Sequence, residues 1–509
     1  MSTEVEYKFL VPRARLADVE AALQAQGAER IEMRAHYYDT EDGRLAAARI
    51  GLRLRQENAR WVQTVKGPGR GPIERLEHEV ELRPEDGAAP LPRIERHEGS
   101  PAFALLRSAL PDPAAALLSV QGTQMTRLRS LQAQGASRIE LALDVGEVTA
   151  RDAQGRARSA PVCELELELV EGRLEDLRDL ALRWAQRHGL VLSTITKAER
   201  GLRLLKGQEA GEAVKAQPIA CPDAGAAPDG TAIQRAVVAN CLAQILPNAS
   251  EVAQGNAGVA VVHQLRVGLR RLRTALRMLD ALHPGHFRDE WQAPLTAVFR
   301  ALGDRRDEEL LRTRLQPQLE AAGAPALALA AADDDAAALA PHVADPAFQA
   351  VLITLIAFGS GATPQEAPAA SAEPAALGAA DARALLARRL SALHKKVRTG
   401  GRHFTALSPR AQHRVRKQLK RLRYLAEFAA PLFERKAARR YLRGLTPAQD
   451  TLGVYNDHQV ALALYRQRAA EDPRALFAVG WLSATLPREA AECRKALGRI
   501  RKADRFWKS

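Results

Sequence analysis

The sequence predicts an α+β multidomain protein, with an N-terminal antiparallel β barrel followed by an all-α, duplicated helical domain. Three observations predict it. Through the first two hundred residues, apolar and charged residues alternate in segment after segment, the period-two signature of strands. From Gly207 to Gly230 the composition turns to Ala, Pro, Gly and Asp without periodicity, which marks an interdomain linker. Beyond it the apolar spacing becomes helical, and one motif recurs at a constant offset of 150 residues. The predicted domains are therefore 1–206 and 231–505, joined by 207–230.

Length and composition agree with this division. A chain of 509 residues is too long for a single core. Its 46% hydrophobic and 26% charged content is that of an ordinary globular protein. The net charge of +14 calls for a polyanionic partner: nucleic acid, an acidic membrane surface or phosphate chains. Cys163, Cys221, Cys241 and Cys493 form no CxxC pair, so neither a disulfide framework nor a zinc site is expected, and a reducing cytoplasm fits. The N-terminus is acidic and lacks the apolar core of a signal peptide. The apolar run Ala350–Phe358 is too short to span a bilayer and reads as a buried helix, so no membrane partner is expected.

In chain order, Glu4-Val5-Glu6-Tyr7-Lys8-Phe9 opens as a strand with Glu4, Glu6 and Lys8 on one face. Same-face neighbours sit roughly 6.5–7 Å apart, a spacing that suits two carboxylates gripping one hard cation. Pro12–Gln26 has helical spacing and stops at Gly27. Strands follow at 36–40, 52–55, 61–66, 77–82, 126–129, 139–144 and 163–169, and Arg173–His188 reads as a helix ended by Gly189. The Gly67–Pro72 loop lacks the GxxxxGK[ST] pattern and is not a nucleotide-binding turn.

The strand faces share one peculiarity. Acidic faces come from Glu4/Glu6, Glu77/Glu79/Glu81, Glu140/Asp144 and Glu164/Glu166/Glu168; basic ones come from Arg53/Arg55, Lys66 and Arg127/Arg129. Like charges two apart on one face repel each other, a cost tolerated most readily when a polyvalent ligand sits between them. A barrel with these faces inside would offer carboxylates to a divalent metal and Lys and Arg to phosphates. The plainer alternative, opposite charges pairing across the sheet, is assigned to Glu79, Glu81 and Glu168.

Taken in order, Glu4-x-Glu6-x-Lys8, Arg53-x-Arg55, Lys66, Arg75-x-Glu77, Arg127-x-Arg129, Glu140/Asp144, Glu164/Glu166 and Thr196-Lys197-Ala198-Glu199-Arg200 resemble the CYTH domain of the triphosphate tunnel metalloenzymes, over residues 1–205. No charged position of that set is missing. The resemblance implies an eight-stranded antiparallel tunnel that hydrolyses a triphosphate with Mg²⁺ or Mn²⁺. It implies that Glu4, Glu6, Asp144, Glu164 and Glu166 hold the metal. Lys8, Arg53, Arg55, Lys66, Arg127, Arg129, Lys197 and Arg200 would then grip phosphates. Glu4, Glu6, Lys8 and Tyr38 form the expected catalytic set, with Lys8 beside Tyr37 or Tyr38 as one source of water activation and a carboxylate as the other.

In the second half, His263-Gln264-Leu265-Arg266 through Arg273 matches His413-Arg414-Val415-Arg416 through Arg423, and Leu302-Gly303 and Asp307 match Leu452-Gly453 and Asp457 in the same register. Each copy carries an apolar stripe beside a basic one: His263, Arg266, Arg270, Arg273 and Arg277, then His413, Arg416, Lys417, Lys420, Arg421 and Arg423. A lone basic helix face is usually solvated; two copies keeping the same positions point to an anion-binding groove. This half resembles the CHAD domain, which implies binding of inorganic polyphosphate. Together the resemblances imply an inorganic triphosphatase with a polyphosphate-binding appendage, cytoplasmic and open to polyphosphate-granule association. Adenylate cyclase chemistry on the same tunnel is the alternative enzyme, though the sequence shows no base or ribose pocket. A non-catalytic polyphosphate-binding protein is the second alternative. Nucleic-acid binding is disfavoured, since no aromatic interleaving accompanies the charge.

Overall fold

The computed structural model describes residues 3–69, 71–83, 90–112, 115–220, 227–310, 313, 315–325, 336–362 and 375–508. The strands are β1 (Thr3–Leu10), β2 (Glu29–Asp39), β3 (Gly51–Glu57), β4 (Arg60–Pro68), β5 (Glu74–Leu82), β6 (Leu118–Gln134), β7 (Ser137–Arg151), β8 (Ala157–Glu171) and β9 (Val191–Leu192). They form one sheet in the order β5-β4-β3-β2-β6-β7-β8-β1-β9, and a further β5–β1 pairing closes the eight long strands into an antiparallel barrel. β1 is the closing strand. Glu4 lies opposite Arg75 of β5, while Glu6 and Lys8 lie opposite Glu168 and Glu166 of β8.

Alternation then sorts the side chains. Tyr7, Phe9, Leu141, Leu143, Leu165 and Leu167 turn outward and are fully buried. Helix Leu174–His188 covers β6, β7 and β8, burying Leu177, Leu180, Ala181 and Trp184, and it ends at Gly189 in the left-handed region (φ +64°) as its sequence predicts. Pro12–Gln26 is shorter than its pattern suggests, a 3₁₀ turn at Arg13–Arg15 followed by helix Leu16–Gln24. The strand expected at 36–40 is the end of an eleven-residue strand, β2, whose first half alternates Ile31, Met33 and Ala35 inward with Arg30, Glu32 and Arg34 outward. Inside the barrel Ile31, Met33, Met125, Val148 and Val162 form an apolar cluster, and Leu204 of helix Lys197–Leu205 packs on it.

The chain forms two compact units. The first comprises Met1–Lys215, Leu242–Leu265 and Ala336–Pro368, so two stretches of the helical half belong with the barrel. Within this unit Tyr7 Oη donates to the carbonyl of Ile353 at 2.9 Å, in the buried apolar helix Pro346–Gly359. The start of the 207–230 segment is tied down: the Gly211 and Val214 amides donate to the side chains of Glu251 and Asn248.

The second unit comprises Ala216–Cys241, Arg266–Asp335 and Ala369–Ser509, and its described elements are helices and 3₁₀ turns. The two motif-bearing helices, Val259–Leu279 and Pro409–Ala429, begin and end 150 positions apart, and each runs into a 3₁₀ turn (Asp280–Leu282 and Ala430–Leu432). Leu265, Leu269, Leu272 and Leu276 are buried, as are their counterparts Val415, Leu419, Leu422 and Ala426. Much of the Ala-rich and Ala/Pro-rich stretches (326–335 and 363–374) lies outside the described residues, as do Cys221 and the side chain of Asp307. Cys163, Cys241 and Cys493 are free thiols. No described helix is long and apolar enough to cross a membrane.

Candidate active site

The strand register gathers the predicted charges inside the barrel and divides them into two regions. On one wall, formed by β7, β8 and helix Lys197–Leu205, acid and base neutralise each other. Arg127 donates to both oxygens of Asp144 (2.6 and 2.7 Å) and to Glu166 (3.1 Å). Lys197 lies 2.8 Å from Asp144, 3.0 Å from Glu166 and against Glu164, while Arg200 reaches Glu164 at 3.4 Å. Burial would raise the pKa of Asp144 and Glu166, but the cations win and hold both low, with Lys197 and Arg127 holding Glu166 far below the usual range.

The wall made by β1, β5 and β8 is different. Glu168 lies directly opposite Glu6 on one side and Glu140 on the other, a cross-strand row of three carboxylates. Glu4, Glu77 and Glu168 bring carboxylate oxygens within 4.8 Å of one another. The cations here are fewer: Lys66 bridges Glu4 (2.7 Å) and Glu77 (3.2 Å), and Arg75 lies 3.9 Å from Glu6. Burial, with Glu166 and Glu4 nearby, raises the pKa of Glu6; burial also raises Glu4 against the pull of Lys66. Burial beside Glu4 and Glu77 pushes Glu168 up to about 8. Directly opposed like charges are destabilising in a sheet, and a bound hard cation would remove the conflict. Oxygen-only donors suit a hard divalent cation. Among the described residues, Glu4/Glu77/Glu168 and Asp144/Glu164/Glu166 are the clusters of three or more donors close enough for a metal. The first carries the surplus negative charge.

Lys8 stands between the two regions. Its ammonium is buried and donates to the Ile195 carbonyl at 2.6 Å, and burial, together with Arg75, lowers its pKa to about 8 against the pull of Glu164. Arg55 is held by Glu57 (2.7 Å) and Glu79 (3.2 Å), and Arg53 lies 3.8 Å from Glu79 and 4.0 Å from Glu77. Glu79 thus plays the pairing role its sequence context suggests, and so does Glu81, 3.2 Å from Arg60. Glu168 does not. Assigned to simple pairing, it instead sits in the acidic row, and Glu77, absent from the predicted metal set, joins it. Which carboxylates face each other depends on strand register, which alternation alone leaves open.

One further expectation changes. Tyr38 lies opposite Leu52 and packs outside the barrel against the cluster around Leu45 and Leu106, whereas Tyr37, opposite Arg53 and hydrogen-bonded to it, faces inward. A register irregularity between Tyr37 and Tyr38 sits at that point of the β2–β6 ladder. Arg129 pairs with Glu29 (2.9 Å), both partly exposed, and its charge also acts on Glu140 of the acidic row.

The basic stripe of the two repeats resolves into buried and exposed members. Arg266 and Arg273 lie over the Phe299 ring (4.9 and 5.3 Å), and Arg270 donates to Tyr424 Oη at 3.0 Å. A side chain at Gly303 would meet the end of the Arg266 guanidinium, whereas its counterpart Gly453 has open space around it. Arg423 is bound by Glu427 (2.7 Å) and Gln449. Arg277, His413, Lys417 and Arg421 are exposed, while His263, Arg416 and Lys420 are half-buried. His413 bonds Asn456 at 3.0 Å. Burial and the nearby Arg421 lower the pKa of Arg277, which places a cation of one repeat close to a cation of the other.

The profile of the CYTH domain matches residues 2–202, and that of the CHAD domain matches residues 236–466. The chain joins a CYTH domain to a CHAD domain. It is 32% identical over 171 residues to an inorganic triphosphatase of Haemophilus influenzae, a match covering 33% of this chain and 44% of that protein. It is also 29% identical over 65 residues to a candidate triphosphatase of Bacillus subtilis, covering 13% of this chain and 34% of that one. The matches thus span less than half the length of these curated relatives. The crystal structure of a CHAD domain from Ricinus communis covers 58% of this chain and 98% of its own, at 26% identity and a TM-score of 0.45.

The pKa shifts of the CYTH interior fix a pH dependence. A carboxyl raised on folding contributes stability that is present below its ordinary pKa and lost as pH rises through the folded one. For Glu168 that window runs from 4.5 to about 8. The metal-free protein should therefore lose melting temperature as pH rises through this window, and Mg²⁺ should raise it more at the alkaline end than at the acid end. Glu168→Gln should shrink both effects in thermal denaturation; an equal Mg²⁺ shift at both ends would contradict the assignment.

Proposed function

We propose that the CYTH barrel hydrolyses inorganic triphosphate to pyrophosphate and phosphate with Mg²⁺ or Mn²⁺, and that the CHAD domain binds inorganic polyphosphate. The observation that supports the first part is that the interior gathers a surplus of carboxylates on β1, β5 and β8 beside a set of inward lysines and arginines. A linear triphosphate carries several negative charges on oxygens spaced along a chain, and it needs cationic donors along its length. Arg53, Arg55, Lys66, Arg127, Lys197 and Arg200 supply them, and most are already held in place by carboxylates. Triphosphate oxygens would exchange with those carboxylates for the same guanidinium and ammonium protons, so the cradle is built before substrate arrives.

Glu4, Glu6, Glu77 and Glu168 would hold the metal. When bound, that ion supplies Lewis-acid polarisation of the phosphoryl group and offsets charge that builds up on its oxygens. Lys8 sits beside this wall with its ammonium fixed, close enough to Glu6 and Glu166 along the strand register to orient a water or a terminal phosphate oxygen. Tyr37, through Arg53, is the tyrosine that shares the interior. The Haemophilus influenzae relative, an inorganic triphosphatase by name, supports the same reading.

On the CHAD side, Arg277, Lys417 and Arg421, with His413, offer exposed donors from both repeats to a polyanion, and Arg277 lies near enough to Arg421 to feel its charge. A cytoplasmic location belongs to the same proposal.

Purified protein with Mg²⁺ or Mn²⁺ should turn over tripolyphosphate in preference to ATP, and Glu6→Ala should abolish that turnover while leaving the circular dichroism spectrum unchanged. Cyclic AMP from ATP, or full activity in Glu6→Ala, would reject the reading. Long-chain polyphosphate should bind in a salt-sensitive manner, and the Lys417→Ala/Arg421→Ala variant should bind at least about fivefold more weakly with tripolyphosphate turnover intact. Equal polyphosphate affinity in that variant would refute the CHAD assignment.

A further inference from the structure

The segment that follows helix Leu174–His188 connects the barrel's interior to helices far along the chain. β9 pairs with β1, and the Ser193 amide then donates to the carbonyl of Lys8 itself at 2.9 Å. Two residues on, the Ile195 carbonyl takes the Lys8 ammonium at 2.6 Å. Both ends of Lys8, backbone and side chain, are thus fixed by Leu192–Ile195. Four consecutive residues with so little sheet pairing of their own cannot hold a position unaided; something must clamp them.

The clamp comes from the two helical stretches that belong to the barrel's compact unit. The Leu192 amide donates to Gln349 Oε1 at 2.9 Å, and Gln349 is itself fixed by donating from Nε2 to the Val343 carbonyl at 2.6 Å. The Thr194 amide donates to Ser250 Oγ at 3.0 Å, with the Thr194 hydroxyl 3.4 Å from the same atom. The Ser250 hydroxyl gives its own proton to the Leu246 carbonyl at 2.8 Å, so its lone pairs are directed to Thr194. Ser250 and Gln349 are almost wholly buried, which makes these bonds costly to lose. A cavity of about 20 Å³, room for one water, lies beside Lys8, Thr194, Leu246 and Ile356. An ammonium released from Ile195 therefore has somewhere else to turn.

We propose that Ser250, backed by Gln349, is a positioning residue for the triphosphate site, holding the Leu192–Ile195 segment whose carbonyl aims the Lys8 ammonium. Ser250 and Gln349 both lie inside the span matched by the CHAD profile, so residues that sequence assigns to the second domain complete the first domain's site. A second anchor follows the same plan. Glu251, the next residue, binds Arg203 at 2.5 Å in helix Lys197–Leu205, which carries Lys197 and Arg200.

The kinetic consequence rests on the triphosphatase reading; the structural content does not, and the test separates them. Full-length Ser250→Ala is labelled with limiting acetic anhydride, and acetylation of each lysine is read by mass spectrometry. Lys8 acetylation should rise several-fold with Lys66, held by Glu4 and Glu77, unchanged, and Ser250→Thr should restore the parental pattern. In the tripolyphosphate assay kcat should fall about tenfold with KM within about twofold, as for a misaligned rather than a missing group. Should Ser250→Ala fail to fold, Thr194→Val removes the hydroxyl contact alone and should move Lys8 labelling in the same direction. Unchanged Lys8 labelling in the folded variant overturns the proposal. A parental protein inactive on every triphosphate would overturn the functional reading, while the labelling would still decide the positioning.

Discussion

Closing the barrel along β1 forces like charges together. Once Glu6 pairs opposite Glu168, and Glu168 opposite Glu140, three carboxylates stand in a row inside a buried sheet, with Glu4 and Glu77 beside them. Lys66 and Arg75 offset only part of that charge. The adjoining region of the same interior shows what full neutralisation looks like: Asp144, Glu164 and Glu166 are locked by Arg127, Lys197 and Arg200. The difference between the regions gives the proposed site its direction, with surplus carboxylates in one and carboxylates already matched by cations in the other. A closed barrel is what makes both possible, because it removes the charges from water without leaving sheet edges exposed.

Much of this was legible in the sequence because strand alternation is a two-state code. Glu4-x-Glu6-x-Lys8 or Arg53-x-Arg55 can point only inward or outward, and apolar neighbours decide which. The repeat was legible for a similar reason, since a register of 150 positions survives intact in both the helix bounds and the buried leucines. What stayed hidden depends on register and bulges. Glu168 looked like one more pairing carboxylate until β8 was set against β1. Tyr37 and Tyr38 are adjacent, and the irregularity between them lies where the inward choice is made. Likewise, stripe arithmetic could not tell that Arg266 and Arg270 are committed to Phe299 and Tyr424 while Lys417 and Arg421 face solvent.

The domain boundary is the other lesson. Composition places it at 207–230, and the family profiles agree in leaving that stretch unmatched. Physical packing draws it elsewhere, because Ser250, Glu251, Gln349 and Ile353 are bonded to the barrel's own residues. The Lys8 ammonium is bonded to the Ile195 carbonyl, and the segment carrying that carbonyl is bonded to residues distant in sequence. Such long-range support leaves no local signature, since a buried Ser or Gln in an apolar helix has the same appearance whatever it bonds.

The central claim is that the β1/β5/β8 wall is a cation site. Its most direct test is a Mn²⁺ titration of the full-length protein near neutral pH, with free Mn²⁺ followed by electron paramagnetic resonance. Tight Mn²⁺ binding in the parental protein, lost in the Glu77→Gln/Glu168→Gln variant, is the predicted result. Equal Mn²⁺ binding by the two proteins would contradict it.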